Sequence, residues 1–137
     1  MLCGEKLGSG VSRDVFACKL RPELVVKVET DFDYRSFANV AEMRIWCDNR
    51  DHKAVADWLA PCEYLSPDGR ILLQARVDVL QPPFKPGDKL PPDKIPAFLT
   101  DRKHSNFGWY QGRLVCCDYA LTIATHSTRM TNAEYWS

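Results

Sequence analysis

Apolar residues recur along this chain with two periods, and the changes between them mark out its elements. Over residues 2–29 apolar and polar positions alternate, with β-branched residues set around glycines. That is the period-two pattern of half-buried strands. The runs VSRDVFACKL and ELVVKVE read as two strands joined by a turn at Arg21-Pro22-Glu23. With the first few residues they predict a three-stranded antiparallel meander. Residues 34–48, YRSFANVAEMRIWCD, change to helical spacing, with Phe37, Val40, Ala41 and Ile45 forming an apolar stripe. A short helical piece is expected over 53–59. CEYLSPDGRILLQARV sets two apolar runs around Pro67-Asp68-Gly69 and reads as a hairpin. GWYQGRLVCC reads as a second, smaller hairpin turning at Gln111-Gly112.

Residues 80–96 break both periods. They carry six of the nine prolines, which excludes a continuous helix or central strand. This stretch reads as a connector between residues 1–79 and residues 97–137. PDKIPAFLT, at its end, is expected to hold one short helix. The tail from 119 to 137 is polar, Thr-rich and weakly patterned, and the chain has no internal repeat or low-complexity segment. The elements predict an α+β fold.

At 137 residues, 45% of them apolar, the chain is long enough for one domain with one core. Eighteen acids balance eighteen bases, which argues against nucleic-acid binding driven by bulk charge. No apolar run approaches the ~18 residues of a membrane-spanning helix, and the N-terminus lacks the apolar core of a secretory signal. Six cysteines stand at positions with no CxxC spacing, and adjacent Cys116 and Cys117 face opposite sides of a predicted strand. They read as small apolar residues of a reduced, cytoplasmic protein. His52, His104 and His126 have no ligand spacing for zinc.

The candidate chemistry lies in DRKHSNFGWYQGRLVCCDYA. Asp101 is followed by Lys103 and Asn106, and Asp118 comes after the short apolar run LVCC. Phosphoryl transfer uses an acid to orient a hydroxyl, a lysine to offset phosphate charge and oxygen ligands to hold a metal ion. Upstream, Gly8 and Gly10 lie in LGSGVSRDVF between two predicted strands, where glycines let a backbone approach phosphates. Lys27 sits inside the apolar run VVKVE, costly unless paired or functional. It reads equally as an edge-strand lysine turned to water, and Glu29 is a competing local partner. Glu42 shares a helix face with Asn39 and Trp46, beside the apolar stripe. A solvated helix acid is the plainer reading of it.

In this order the pieces resemble the protein kinases, over roughly residues 4–120. The resemblance is closest to small kinase-like proteins of bacteria and their viruses. It implies a kinase-like N-lobe, an antiparallel sheet plus one main helix, with a strongly reduced C-lobe. It implies ATP and Mg²⁺ as ligands. Gly8, Gly10 and Val15 match the glycine loop, Lys27 the strand lysine that holds phosphates, and Glu42 its helix partner. Asp101 is implied as the hydroxyl-orienting acid, Lys103 as a charge-balancing group, and Asn106 and Asp118 as metal ligands. Arg13 replaces the third loop glycine and either contacts a phosphate or is solvent-exposed. Leu99-Thr100 replaces the usual His-Arg before Asp101, and Tyr119-Ala120 replaces Phe-Gly after Asp118. The implied partners are a nucleotide and a protein substrate or docking partner. A homodimer is one way to cover the reduced C-lobe, with Trp109, Tyr110, Tyr135 and Trp136 as contact candidates. Two functions follow from the resemblance. One is an ATP-dependent phosphotransferase acting on a protein hydroxyl. The other is a catalytically inactive kinase-like binding protein, such as a virus-encoded inhibitor or adaptor docking on a host protein.

Overall fold

The computed structural model describes residues 2–10, 12–30, 37–81, 94–120 and 129–132. Strands β1 (Cys3–Ser9), β2 (Arg13–Cys18) and β3 (Leu24–Glu29) form the expected meander. Helix α1 (Ala38–Asn49) and the short α2 (Lys53–Ala56) follow. The hairpin of β4 (Cys62–Leu65) and β5 (Ile71–Ala75) then joins the first three strands. The result is a five-stranded antiparallel sheet of order β1-β2-β3-β5-β4. The fold is α+β, as the alternation of periods implied.

Register places Gly8, Val15, Lys27, Leu72 and Leu65 in one row across this sheet. Because side chains alternate along strands, Arg13, Val25 and Gln74 share that face. Phe16, Val26 and Leu73 occupy the other, in a small apolar cluster with Cys18 and Leu24. The first face meets α1 and holds the charged residues.

Beyond the sheet, β6 (Asp78–Val79), β8 (Phe107–Tyr110) and β9 (Arg113–Cys116) make a second antiparallel sheet. Gln111 and Gly112 turn the β8–β9 hairpin with φ of 49° and 78°, the two left-handed positions of a tight hairpin turn. Gly108 packs directly on the β6 backbone: a Cβ built there would lie 2.5 Å from the Asp78 carbonyl oxygen. Cys116 ties the second sheet to the segment that leads into β4: its N–H donates to the Trp58 carbonyl at 2.7 Å and its carbonyl accepts the Ala60 N–H at 2.9 Å. Around this seam Ile45, Trp58, Leu59, Leu72, Phe107, Leu114 and Tyr119 belong to one continuous core. Burial of such apolar area supplies most of the folding free energy.

Three expectations need correction. Helix α1 starts at Ala38, and Phe37 precedes it with φ 55° and 53% exposure, outside the buried stripe. Residues 34–36 of the expected helix lie outside the described residues. The buried face of α1 is Ala38, Asn39, Glu42, Ile45 and Asn49, so the stripe is rotated and partly polar. Lastly, Lys94–Pro96 is a strand, β7, followed by a turn rather than a short helix. It pairs with β10 (Met130–Asn132) in the tail that read as weakly patterned. Most of the Pro-rich connector, residues 82–93, lies outside the described residues.

Candidate functional site

The charged face of the first sheet, the start of α1 and the end of β9 converge on one cleft of about 580 Å³. It is lined by Gly8, Gly10, Arg13, Val15, Lys27, Asp101, Lys103, Asn106 and Asp118, among others. Apart from Glu42, every candidate residue of the sequence therefore faces the same space. Glu42 lies immediately behind the cleft, wholly buried.

Lys27 is on the central strand and 4% exposed, so it is neither an edge residue nor turned to water. Its Nζ lies 2.5 Å from Glu42 Oε1 and also donates to the Cys117 carbonyl. A buried ammonium is tolerable only with partners of this kind. The position of Glu42 follows from one turn of α1. Asn39 donates its Nδ2–H to the Lys27 carbonyl at 3.0 Å, and its backbone N–H donates to Glu29 Oε1 at 3.0 Å. Glu29 thus supplies an acceptor at the helix N-terminus, where Phe37 offers no side-chain cap. With Asn39 pinned to β3, Glu42 three residues on faces the same strand.

Glu42 is the hub of the site. It accepts hydrogen bonds from Lys27, from both Arg13 terminal nitrogens at 3.1 and 3.3 Å, from Gln74 Nε2 at 3.2 Å and from the Tyr119 backbone N–H at 2.9 Å. Burial alone would push this carboxyl up; Lys27 and Arg13 outweigh it and hold Glu42 at about 2. The same carboxylate therefore fixes β2, β3, β5 and the segment after β9 at one point.

Arg13 is buried, not solvent-exposed. Besides Glu42, its guanidinium contacts Asn39 Oδ1 at 3.1 Å and Asp118 Oδ1 at 3.0 Å. Burial disfavours the charge, but Glu42 and Asp118 raise its pKa above the ordinary arginine value. Asp118 itself is half exposed at the cleft wall. Arg13 takes one of its carboxylate oxygens.

Asp101 and Lys103 are exposed on the cleft rim and 3.7 Å apart. The 3₁₀ turn His104–Asn106 carries Asn106 into the interior. There Asn106 Nδ2 donates to the Asp101 carbonyl at 3.1 Å, and its own carbonyl accepts the Cys117 N–H at 2.8 Å. These two bonds connect the Asp101 loop to the strand end that carries Asp118.

Sequence reasoning passed over Gln74 as a site residue and read Glu29 as a rival for Lys27. The signal for Gln74 was a polar residue inside the apolar run ILLQA. Among the described residues no group of three or more His, Cys, Asp and Glu side chains is gathered as a metal cluster. No described helix is long and apolar enough to cross a membrane. All six cysteines are free thiols. Burial first of all pushes Cys62 up to about 12 and Cys117 up to about 11. Of the aromatic contact candidates, Trp109 is partly exposed and Tyr110 is half-buried beneath the Arg113 guanidinium, 5.6 Å from its ring centre. Tyr135 and Trp136 lie outside the described residues. No protein-family model matches this chain, and no curated protein sequence matches it.

Proposed function

We propose that the cleft binds ATP in a kinase-like arrangement and serves phosphoryl transfer to a protein hydroxyl. The observation that carries this reading is the buried Lys27–Glu42 pair, 2.5 Å, joined through Arg13 to Asp118 at the cleft wall. In protein kinases a strand lysine, a helix glutamate and a metal-binding aspartate must be in place together. A five-stranded antiparallel sheet carrying one main helix, with glycines at the cleft mouth, is also what a kinase-like N-lobe requires.

On this reading Lys27 holds phosphate oxygens, and Glu42 fixes the ammonium's position. Among the described residues, no atom beyond its chain neighbours lies within 4 Å of where a Cβ on Gly8 would stand, which leaves backbone room for a phosphate. Asp101, exposed on the rim, orients the acceptor hydroxyl, and Lys103 offsets charge on the moving group. Asp118 and Asn106 offer a carboxylate and an amide oxygen, the hard donors that Mg²⁺ takes, and Arg13 engages just one Asp118 oxygen. A bound Mg²⁺ would neutralise phosphate charge there. Catalysis by such a site is positioning and electrostatics.

The contact of Arg13 with Asp118 favours a second reading, a nucleotide-binding protein without transfer that docks on a partner. A thermal melt with ATP and Mg²⁺, paired with incubation in γ-labelled ATP, separates the two. Ligand at ~100 times its dissociation constant stabilises the fold by about 2.7 kcal/mol. A shift in the melt with label passing to protein supports the phosphotransferase. A shift without label supports the binder, and no shift at millimolar ATP removes both.

A further inference from the structure

We propose that Arg13 is a resident counter-cation for nucleotide phosphates, so that the cleft binds a nucleoside triphosphate without a divalent metal. The proposal rests on the nucleotide reading above and adds the ligand's charge partner to it.

Arg13 opens β2 directly after the glycine segment, and the Gly10 N–H donates to its carbonyl at 2.8 Å. Guanidinium and loop are thereby tied together. The guanidinium has two kinds of partner. Glu42 and Asn39 are buried and hold it from behind, whereas Asp118 is 50% exposed and reaches it from the cleft. An incoming phosphate can take over the cleft side while the buried side keeps the group in place. A planar guanidinium is well suited to phosphate, and its charge cannot be lost by deprotonation.

The local charge points the same way. Lys27 and Arg13 balance Glu42 and Asp118, so this cluster is neutral. A cluster without Arg13 would be net negative, would repel phosphate and would require an added cation. Here that cation is covalently part of the chain. When a phosphate takes Arg13, Asp118 is released from its ion pair. Metal at Asp118 and Asn106 then becomes an addition to a formed complex rather than a condition for it.

The test is equilibrium binding of ATP, followed by calorimetry, in EDTA and in Mg²⁺. It uses wild type, Arg13→Gln and Asp118→Asn, with circular dichroism to confirm folding. Wild type is expected to bind in EDTA within about threefold of its affinity in Mg²⁺. Arg13→Gln is expected to lose about tenfold or more in EDTA and to recover part of it with Mg²⁺. Asp118→Asn removes only a half-exposed competitor, so it should fold and bind ATP more tightly than wild type in EDTA. Binding by wild type that requires Mg²⁺ would overturn the proposal, as would weaker EDTA binding by Asp118→Asn. Absence of ATP binding in both conditions would overturn the nucleotide reading itself, a result distinct from failure in EDTA alone.

Discussion

Arg13 and Asp118 stand 105 positions apart in the chain and meet in an ion pair of 3.0 Å across the cleft. Arg13 begins the second strand of the large sheet, and Asp118 follows the last strand of the small one. Their contact therefore spans the two sheets at the place where every candidate site residue gathers. Glu42 lies behind it and bonds to both sides, through Lys27 and Arg13 from the large sheet and through the Tyr119 N–H from the segment that follows the small one. The site and the joint between the sheets are the same structure.

Removing Glu42 should be costly. Glu42→Ala leaves the buried cations of Lys27 and Arg13 facing each other with no shared anion, and breaking a buried pair in this way costs about 3–5 kcal/mol. Urea unfolding followed by tryptophan fluorescence is expected to show a loss of that size. A loss below about 1 kcal/mol would mean the carboxylate is not the hub described.

The same residue sets an acid limit. Its folded value of about 2 lies below the ordinary 4.5. Its stabilisation is therefore complete above about pH 4.5 and is lost as pH falls toward 2. The depression corresponds to roughly 3 kcal/mol. Unfolding free energies measured from pH 6 down to pH 3 should fall for wild type and fall much less for Glu42→Gln.

Asp101 offers the opposite test. It is exposed, and its pair with Lys103 at 3.7 Å lies on the rim. Asp101→Asn should change stability by less than about 0.5 kcal/mol while abolishing any label transfer from ATP. Retained transfer would remove Asp101 from the hydroxyl-orienting role.

Gly108 tests the joint rather than the chemistry. A methyl group there meets the Asp78 carbonyl carbon at 2.8 Å and its oxygen at 2.5 Å. Neither can yield without moving β6. Gly108→Ala is expected to destabilise by about 1–3 kcal/mol, read from a thermal melt.

Thiol reactivity reports on the core. Cys47 is exposed on α1, while Cys62 and Cys116 are buried and their thiols pushed up by that burial. Iodoacetamide followed by mass spectrometry should label Cys47 first and reach Cys62 and Cys116 only on unfolding. Early labelling of Cys116 would contradict the seam at Trp58 and Ala60.

The strands of the large sheet and of the β8–β9 hairpin, with their turns, were legible because their signals are local. Alternation, Pro67-Asp68-Gly69 and Gln111-Gly112 each act within a few residues, and all gave elements where expected. The helix stripe was not legible in the same way. Asn39 and Glu42 are polar yet buried, with partners on the strands of the large sheet, and Asn49 is buried with its side-chain amide donating to the Ile45 carbonyl one turn back in the helix. An apolar count along the helix cannot register such partners. Lys94–Pro96 was missed for a related reason, since its pairing with Met130–Asn132 is made across 34 or more positions. The order of the candidate residues was visible in the sequence, and the cleft brings them together. The burial of Arg13 and its contact with Asp118 were not visible, because they require the fold.

The most direct test of the central claim is titration of ATP into ¹⁵N-labelled protein, a tractable size at 15.7 kDa. Nucleotide binding in this cleft should shift the backbone amides of Gly8, Gly10, Lys27, Asn106 and Asp118 together and saturably. Absence of shifts at millimolar ATP, or shifts confined to residues away from these five, would contradict it.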